Sequence, residues 1–390
     1  MKGKGEITLL DRQHSYVGRN LSRDKAKRAV HGRGRYTDDI TLPRTVHAAF
    51  VRSPYAHALI TDIDVDIAKA EDGVVLVMTG AELKELCTGP WVGTLSVFPT
   101  MKTAPQYPMA VDRACWQGEP VVMVVAKSRA TAEDAAELVS VTYKELPVVA
   151  HKETALAENA NLVHPDLKDN LAFEKVIDTG DVDEVFAQAD HVVEATFDFG
   201  RHTAVSLEPR AILASFEKDT EELTIYTSSQ TPHMFQAIIA RTLGLPEHKC
   251  RVVAPFVGGS FGLKIHSFGD EFAATAASLK LGRPVKFIAD RLESFLTDIH
   301  ARENRVTGKM AVSSKGEIEA LEIDILSGVG AYSQYPRTSV FEANQILNIT
   351  GGPYKHKSYK ARMRVAYMNK VPTSQYRAVG HPIGNSVGEA

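Results

Sequence analysis

Arg251 to His266 read RVVAPFVGGSFGLKIH, an apolar run that stops in Gly258-Gly259-Ser260-Phe261-Gly262. A short apolar run reads as a buried strand, and the alanine-rich stretch from Asp270 to Lys280 reads as a helix, so the glycines fall on a strand-to-helix turn. Glycine takes positive φ without strain and lets a backbone approach a ligand closely. Successive N–H groups in such a turn can form a concavity that attracts anions, and a bound anionic cofactor is the natural occupant. The spacing is neither a Walker A nor a Rossmann fingerprint, so from these residues alone a plain packing turn stands beside the binding turn.

Working outward, Leu223 to Thr227 is β-rich and His233 to Leu243 has a helical pattern, which sets Gln230 at the carboxyl end of a strand. Open α/β architectures place ligands there. A glutamine offers both a donor and an acceptor; serving as a helix-cap partner is the alternative. Downstream, Arg283 to Ile288 reads as a strand, Asp290 to Ser294 as a turn into further structure, and Val306 to Val312 with Ile318 to Leu326 as a hairpin about Lys315-Gly316. Tyr354 to Tyr367, YKHKSYKARMRVAY, alternates basic residues with tyrosines. Such a stripe can bind single strands of nucleic acid, but with a net charge of −3 it reads as an edge strand with a solvated basic face. Upstream, Glu208 in Leu207-Glu208-Pro209-Arg210 reads either as a buried charge near a site or, as preferred here, as a charge paired with Arg210 or another arginine.

At 390 residues, 44% hydrophobic and 24% charged, the chain suits two or three soluble domains. The first twenty residues lack the apolar core of a secretory signal, and no apolar run is long enough to cross a bilayer, so a cytoplasmic protein is expected that binds neither membrane nor nucleic acid. Cys87, Cys115 and Cys250 are too far apart for an iron–sulfur or zinc spacing. Strand candidates at Val46 to Arg52, Gly73 to Thr79, Pro120 to Ala126 and Val139 to Tyr143, with a helix over Ser128 to Leu138, argue for an α+β fold. His57 and Glu119 in this part read as structural. Lys144 to Asn170 breaks the periodicity and reads as a linker crossing between domains. An acidic first helical turn at Gly180 to Ala187 follows, then a strand from His191 to Phe197.

Three segments together resemble the molybdenum-binding subunit of the xanthine dehydrogenase and aldehyde oxidase family. Gly258 to Lys264 is similar to its glycine-phenylalanine-glycine loop, Tyr226 to Pro232 (YTSSQTP) to its serine/threonine-glutamine-x-proline segment, and Gln375 to Gly380 (QYRAVG) to its arginine-containing loop. Gly34 to Asp39, Arg52 to His57 and Gly118 to Val121 resemble phrases of its a/b hammerhead domain. The resemblance implies an N-terminal tail (1–16), a hammerhead-like domain (17–143), the linker (144–170) and the first molybdopterin-binding domain (171–390).

It also implies a molybdenum–molybdopterin shared with a partner chain, with the cytosine dinucleotide form left open, and neither iron–sulfur cluster nor flavin in this chain. Gln230, Gly259, Ser260, Phe261, Gly262, Arg377 and Ala378 would touch that cofactor, Gln230 through the metal's oxo group. The activity implied is oxidation of an aldehyde or N-heteroaromatic compound with water-derived oxygen. Electrons would pass to [2Fe-2S] and FAD subunits. Ala378 stands where carbon monoxide dehydrogenases of the family have a copper-bridging cysteine, and Ile265 where xanthine-oxidising members have a substrate-binding glutamate, which argues against both chemistries. Family subunits are about twice this length, and their general-base glutamate belongs to the second half. Glu389 follows the arginine loop too closely to be it, so no catalytic residue is assigned, and a partner carrying that half is expected. A catalytically silent scaffold that binds only protein partners is the competing reading.

Overall fold

A computed structural model of the chain describes Tyr16 and residues 22–90 and 98–390. Apart from Tyr16, the expected tail lies outside the described residues, as do residues 17–21. The strands in chain order are β1 (Val46–Arg52), β2 (Ala58–Asp64), β3 (Val74–Thr79), β4 (Arg113–Ala114), β5 (Pro120–Ala126), β6 (Ser140–Glu145), β7 (Leu171–Asp178) and β8 (His191–Phe199). They continue as β9 (Ala211–Glu217), β10 (Glu222–Thr227), β11 (Cys250–Val253), β12 (Val285–Ile288), β13 (Asn304–Val312), β14 (Ile318–Gly328) and β15 (Ser358–Ala366). With the helices between them they build a mixed α+β architecture.

The seven-stranded sheet runs β11-β10-β9-β12-β1-β5-β3. It joins strands from both ends of the chain, because β1 lies parallel to β12 with Val46 opposite Val285. The unbroken apolar run of β5 has a simple cause: Met123 and Val125 face one core while Val122 and Val124 face another. A strand covered on both faces has no polar side to alternate with. The helix Gly269–Leu281 packs beneath this sheet and is buried from Asp270 to Ser278. A three-stranded sheet, β4-β2-β6, completes the first part.

The five-stranded sheet runs β7-β15-β14-β13-β8. β13 and β14 form the expected hairpin. The basic stretch 354–367 is not an edge, however: β15 lies between β14, to which it is parallel, and β7, to which it is antiparallel. Its period of two was the right signal. Ala361, Met363 and Val365 enter the core, while Lys360, Arg362 and Arg364 pair with Asp183, Glu174 and Asp324. Neighbouring acids, not an open edge, are what the basic face requires. The structure that Asp290 to Ser294 leads into is a helix, Arg291–Thr297, which Asp290 starts by closing a capping box with Glu293.

Residues 144–170 cross from β6 to β7 with little regular structure, yet Val149, Ala155 and Val163 are buried in the core of the five-stranded sheet. Asn170 ties the crossing down: its Oδ1 accepts from Val163 N, and its Nδ2 donates to the carbonyls of Ala155 and Asn161. Side-chain-to-backbone bonds of this kind leave no periodic trace in a sequence.

Candidate cofactor site

β10 and β11 are parallel neighbours, with Tyr226 opposite Val253. Their carboxyl ends therefore emerge side by side, which brings Gln230 to the glycine-rich loop. The two segments are laced together: Gln230 N donates to Lys264 O at 2.8 Å and Thr231 Oγ1 to Ile265 O at 2.8 Å. Gln230 is not a helix-cap partner. Its Oε1 accepts from Ser260 Oγ and from Gly262 N at 3.3 Å. Because a backbone N–H can only donate, the amide atom facing the loop must be the oxygen. The NH₂ is left pointing away from the loop, without a hydrogen-bond partner among the described residues.

The third segment joins through the main chain, where Arg377 N donates to Phe261 O at 2.8 Å. Gly262, at φ 100°, lies so close that a Cβ there would sit 2.8 Å from Gln375 O. Phe261 and Ala378 hold φ of 54° and 66°, in the left-handed region. Such conformations cost about 1–3 kcal/mol each in non-glycine residues and persist only where surroundings impose them. A buried clamp does so here. Arg302 donates to Arg377 O, to Tyr376 O at 3.4 Å and to Glu342 Oε1; Glu342 also accepts from Arg302 N at 2.9 Å and Gly380 N at 3.2 Å. The Arg302 guanidinium lies 5.4 Å from the centre of the Tyr376 ring, and His202 meets that ring edge-on at 5.0 Å.

Beneath the glycine loop, Glu208 pairs with Lys264 at 3.0 Å and accepts from Gly258 N at 2.6 Å. This corrects the expected pairing with Arg210. Glu208 is held against Gly258 by main chain and side chain together, whereas Arg210 leads into β9 and turns into the core. There it binds Asp270 through two nitrogens and Asp298 through Nε at 2.7 Å, with its guanidinium 4.0 Å from the centre of the Phe268 ring. Burial opposes the Arg210 charge, but Asp270 and Asp298 outweigh it and hold the guanidinium well above its ordinary value. Burial pushes the Glu271 carboxyl up to about 8, and burial pulls Lys264 below the usual lysine value against the pull of Glu208. Removing one partner from a buried pair of this kind costs about 3–5 kcal/mol.

Five of the seven expected cofactor residues are linked directly in this way, Gln230, Ser260, Phe261, Gly262 and Arg377, and Ala378 follows Arg377 in the chain. Gly259, at φ 102°, lies between them and Ser206. Gln230, Phe261, Arg377 and Ala378 are exposed on the resulting face. Its rim is apolar, with Leu207 93% exposed and Val205, Val257 and Phe261 also open to solvent. Sequence reasoning missed Arg302, Glu342 and the Lys264 pairing; only Lys264, inside the quoted stretch, carried a local signal. His57 and Glu119 are buried and bonded to Pro147 O and Cys115 N, as structural residues are. Among the described residues no cluster of side chains could hold a metal ion. The face can instead offer an amide donor, backbone groups and the Arg377 guanidinium to an anionic or oxo-bearing ligand.

Profiles of known families match most of the chain: "Molybdopterin cofactor-binding domain" over residues 163–390 and "Aldehyde oxidase and xanthine dehydrogenase, a/b hammerhead domain" over residues 31–147. The large subunit of nicotine 6-hydroxylase from Paenarthrobacter nicotinovorans is 35% identical over 96% of this chain and 46% of its own length. The crystal structure of quinoline 2-oxidoreductase from Pseudomonas putida 86 superposes with a TM-score of 0.89 at 36% identity, covering 94% of this chain and 46% of that one. The chain thus spans about half the length of these relatives. The large molybdopterin subunit of nicotinate dehydrogenase from Eubacterium barkeri, 25% identical, is nearer in size, with 84% of it covered. On these grounds the chain belongs to the xanthine dehydrogenase and aldehyde oxidase family of molybdenum hydroxylases and corresponds to the amino-terminal half of their molybdenum-binding subunit.

Proposed function

We propose that this chain forms one wall of the molybdopterin site of a hydroxylase that oxidises an aldehyde or N-heteroaromatic compound with water-derived oxygen. The observation that carries the reading is Gln230, whose carbonyl accepts from Ser260 and Gly262 and whose NH₂ is thereby left without a partner among the described residues. The residues fit the group: an amide donor on a rigid loop suits an oxo oxygen, and the exposed Arg377 suits an anionic one. When bound, molybdopterin, in its cytosine dinucleotide form or without it, supplies the redox chemistry.

The chain's own residues position and exclude. Gln230 and the Phe261–Gly262 backbone fix the orientation of the group, and the Arg302–Glu342 clamp keeps Arg377 and Ala378 in register with them. Phe261 and Leu207 present apolar surface that keeps water away once covered. The carboxylates beside the linked set are held, Glu208 by Lys264 and Glu342 by Arg302, and the imidazole of His202 meets the Tyr376 ring edge-on. On this reading the general base belongs to the second half of the subunit, as the family resemblance implies, and [2Fe-2S] and FAD subunits take the electrons, in the cytoplasm. Among the described residues no helix is long and apolar enough to cross a membrane.

The test is molybdenum and pterin analysis of the chain purified alone and with a second half. The isolated chain should hold no stoichiometric molybdenum, and the complex should hold it. A stable complex without molybdenum would favour the silent-scaffold reading instead.

A further inference from the structure

A cavity of about 410 Å³ opens between β4 and the crossing that leads to the second part of the chain. Among the described residues, none of the three loops that meet at Gln230 contributes to its lining. Its floor is made of buried side chains with polar ends, Cys115, Glu119, His164 and Tyr332. Three of these hold one another: Glu119 accepts from Cys115 N at 2.7 Å, and Tyr332 OH donates to Cys115 Sγ at 3.3 Å. His164 is only half used. Its Nε2 faces Ala331 O at 2.5 Å, so Nε2 carries the proton and Nδ1 is an acceptor. The residue is 7% exposed, and Nδ1 has no hydrogen-bond partner among the described residues. A buried acceptor left unmet is costly, and this one borders a cavity.

Arg113, in β4, supplies the charge. It is half-buried, lines the same cavity and has no carboxylate partner among the described residues. What holds it is His57, whose Nδ1 donates to Pro147 O at 2.7 Å and whose Nε2 is thereby left to accept from Arg113 Nη1 at 3.2 Å. Burial first, and then Arg113 itself, keep His57 below the ordinary histidine value. A neutral imidazole fixes the guanidinium without cancelling its charge. The floor is uncharged at neutral pH as well: burial pushes the Glu119 carboxyl up to about 8, pulls His164 down to about 4 and raises the Cys115 thiol far above its usual value. The other charges around the cavity, Lys84, Asp112 and Asp166, are exposed and of both signs, so water screens them. Arg113 is the deeper charge. Two phrases that the cofactor site leaves unused, Arg52 to His57 and Gly118 to Val121, thus meet here, His57 behind the arginine and Glu119 in the floor.

We infer that this cavity binds a small carboxylate bearing a hydroxyl or N–H group, with its anionic end on Arg113 and its donor on His164 Nδ1. A guanidinium with free nitrogens is suited to a carboxylate, and the charge-assisted bond strengthens where water is partly excluded. The neutral floor does not repel an anion. A carboxylate without a donor leaves His164 unmet, and a cation meets Arg113 as a like charge. None of this draws on the molybdopterin reading or on the residues that carry it.

The test is isothermal titration of the full chain with two probes of different length, glycolate and meta-hydroxybenzoate. Each is paired with its amide, which lacks the charge, and with acetate or benzoate, which lacks the hydroxyl. At least one hydroxy acid should bind, more tightly than both of its counterparts. Arg113→Gln, whose amide can still donate to His57, should weaken that binding by about ten- to hundredfold, and Arg113→Lys should recover part of it. His164→Phe removes the acceptor and should bring the hydroxy acid down to the affinity of its unhydroxylated counterpart. The thermal midpoint without probe shows whether each variant is folded; if His164→Phe is not, the paired acids read the same contact in the parent chain. Failure of both hydroxy acids to bind overturns the inference, as does binding that a folded Arg113→Gln leaves unchanged. Equal affinity for an acid and its amide, or for the hydroxylated and unhydroxylated acids, overturns it too. No readout involves molybdenum, so a negative result here leaves the cofactor reading standing, and loss of that reading leaves this one.

Discussion

On the proposed reading, Gln230 acts through the direction of one amide. Two donors, Ser260 Oγ and Gly262 N, hold its oxygen, so only the NH₂ is free to meet a ligand. Replacing it by alanine removes both the donor and the anchor of the loop. Gln230→Glu is the sharper change: a carboxylate still accepts from Ser260 and Gly262 but has no proton to donate. In the assembled enzyme, matched for molybdenum, both variants should lose about ten- to hundredfold in turnover, the equivalent of one charge-assisted hydrogen bond of about 1.5–3 kcal/mol. Only Gln230→Ala should lower the thermal midpoint as well. Full turnover in Gln230→Glu would remove the amide from the site. None of this direction was legible beforehand. The residues named Gln230 as a donor and acceptor at a strand end, but which atom faces inward depends on Gly262, thirty-two positions away.

At the level of elements, the strand–turn–helix reading of the opening stretch holds, with β11 followed by the glycine loop and the helix Gly269–Leu281. The convergence of three loops on one face then follows from two pairings. β10 beside β11 joins the first two loops, and Phe261 O to Arg377 N joins the third. Strand pairings leave only a local alternation in the sequence, and for β15 that alternation was read correctly while its neighbours were not. The loop junction makes a test of how tightly the face is set. Gly262→Ala introduces a side chain at φ 100° and 2.8 Å from Gln375 O, whereas Gly316→Ala in the β13–β14 turn has a similar φ of 81° and open space around it. The turn variant should cost only the conformational term, about 1 kcal/mol. Gly262→Ala should cost more in thermal midpoint and should also reduce molybdenum retention in the complex. Equal loss in the two, with molybdenum retained, would mean that the arginine loop yields freely and the junction is not tight.

For the molecule as a whole, the α+β class and the order of its two parts were legible because most long strands keep their alternation or their apolar runs. What joins the parts was not. β1 is inserted between β12 and β5, so a strand of the first part is held on one side by the second. The Arg52 guanidinium, at the end of β1, reaches Asp270 and Glu293 at 3.0 and 2.9 Å, and Asp270 in turn holds Arg210. The ladder and the buried ion cluster thus both cross residues 144–170, and that crossing is itself packed through Asn170. We propose that the two domains the sequence suggests unfold as one unit. Fragments 1–147 and 148–390 expressed apart would expose the β12 edge and strip Asp270 of one of its arginines, and neither should give a cooperative transition. Co-expressed, they should associate and restore one. The intact chain should melt in a single transition by calorimetry and by circular dichroism alike. Two resolved transitions, or a first fragment that melts cooperatively alone, would show that the β1–β12 pairing is only a docking contact between independent domains.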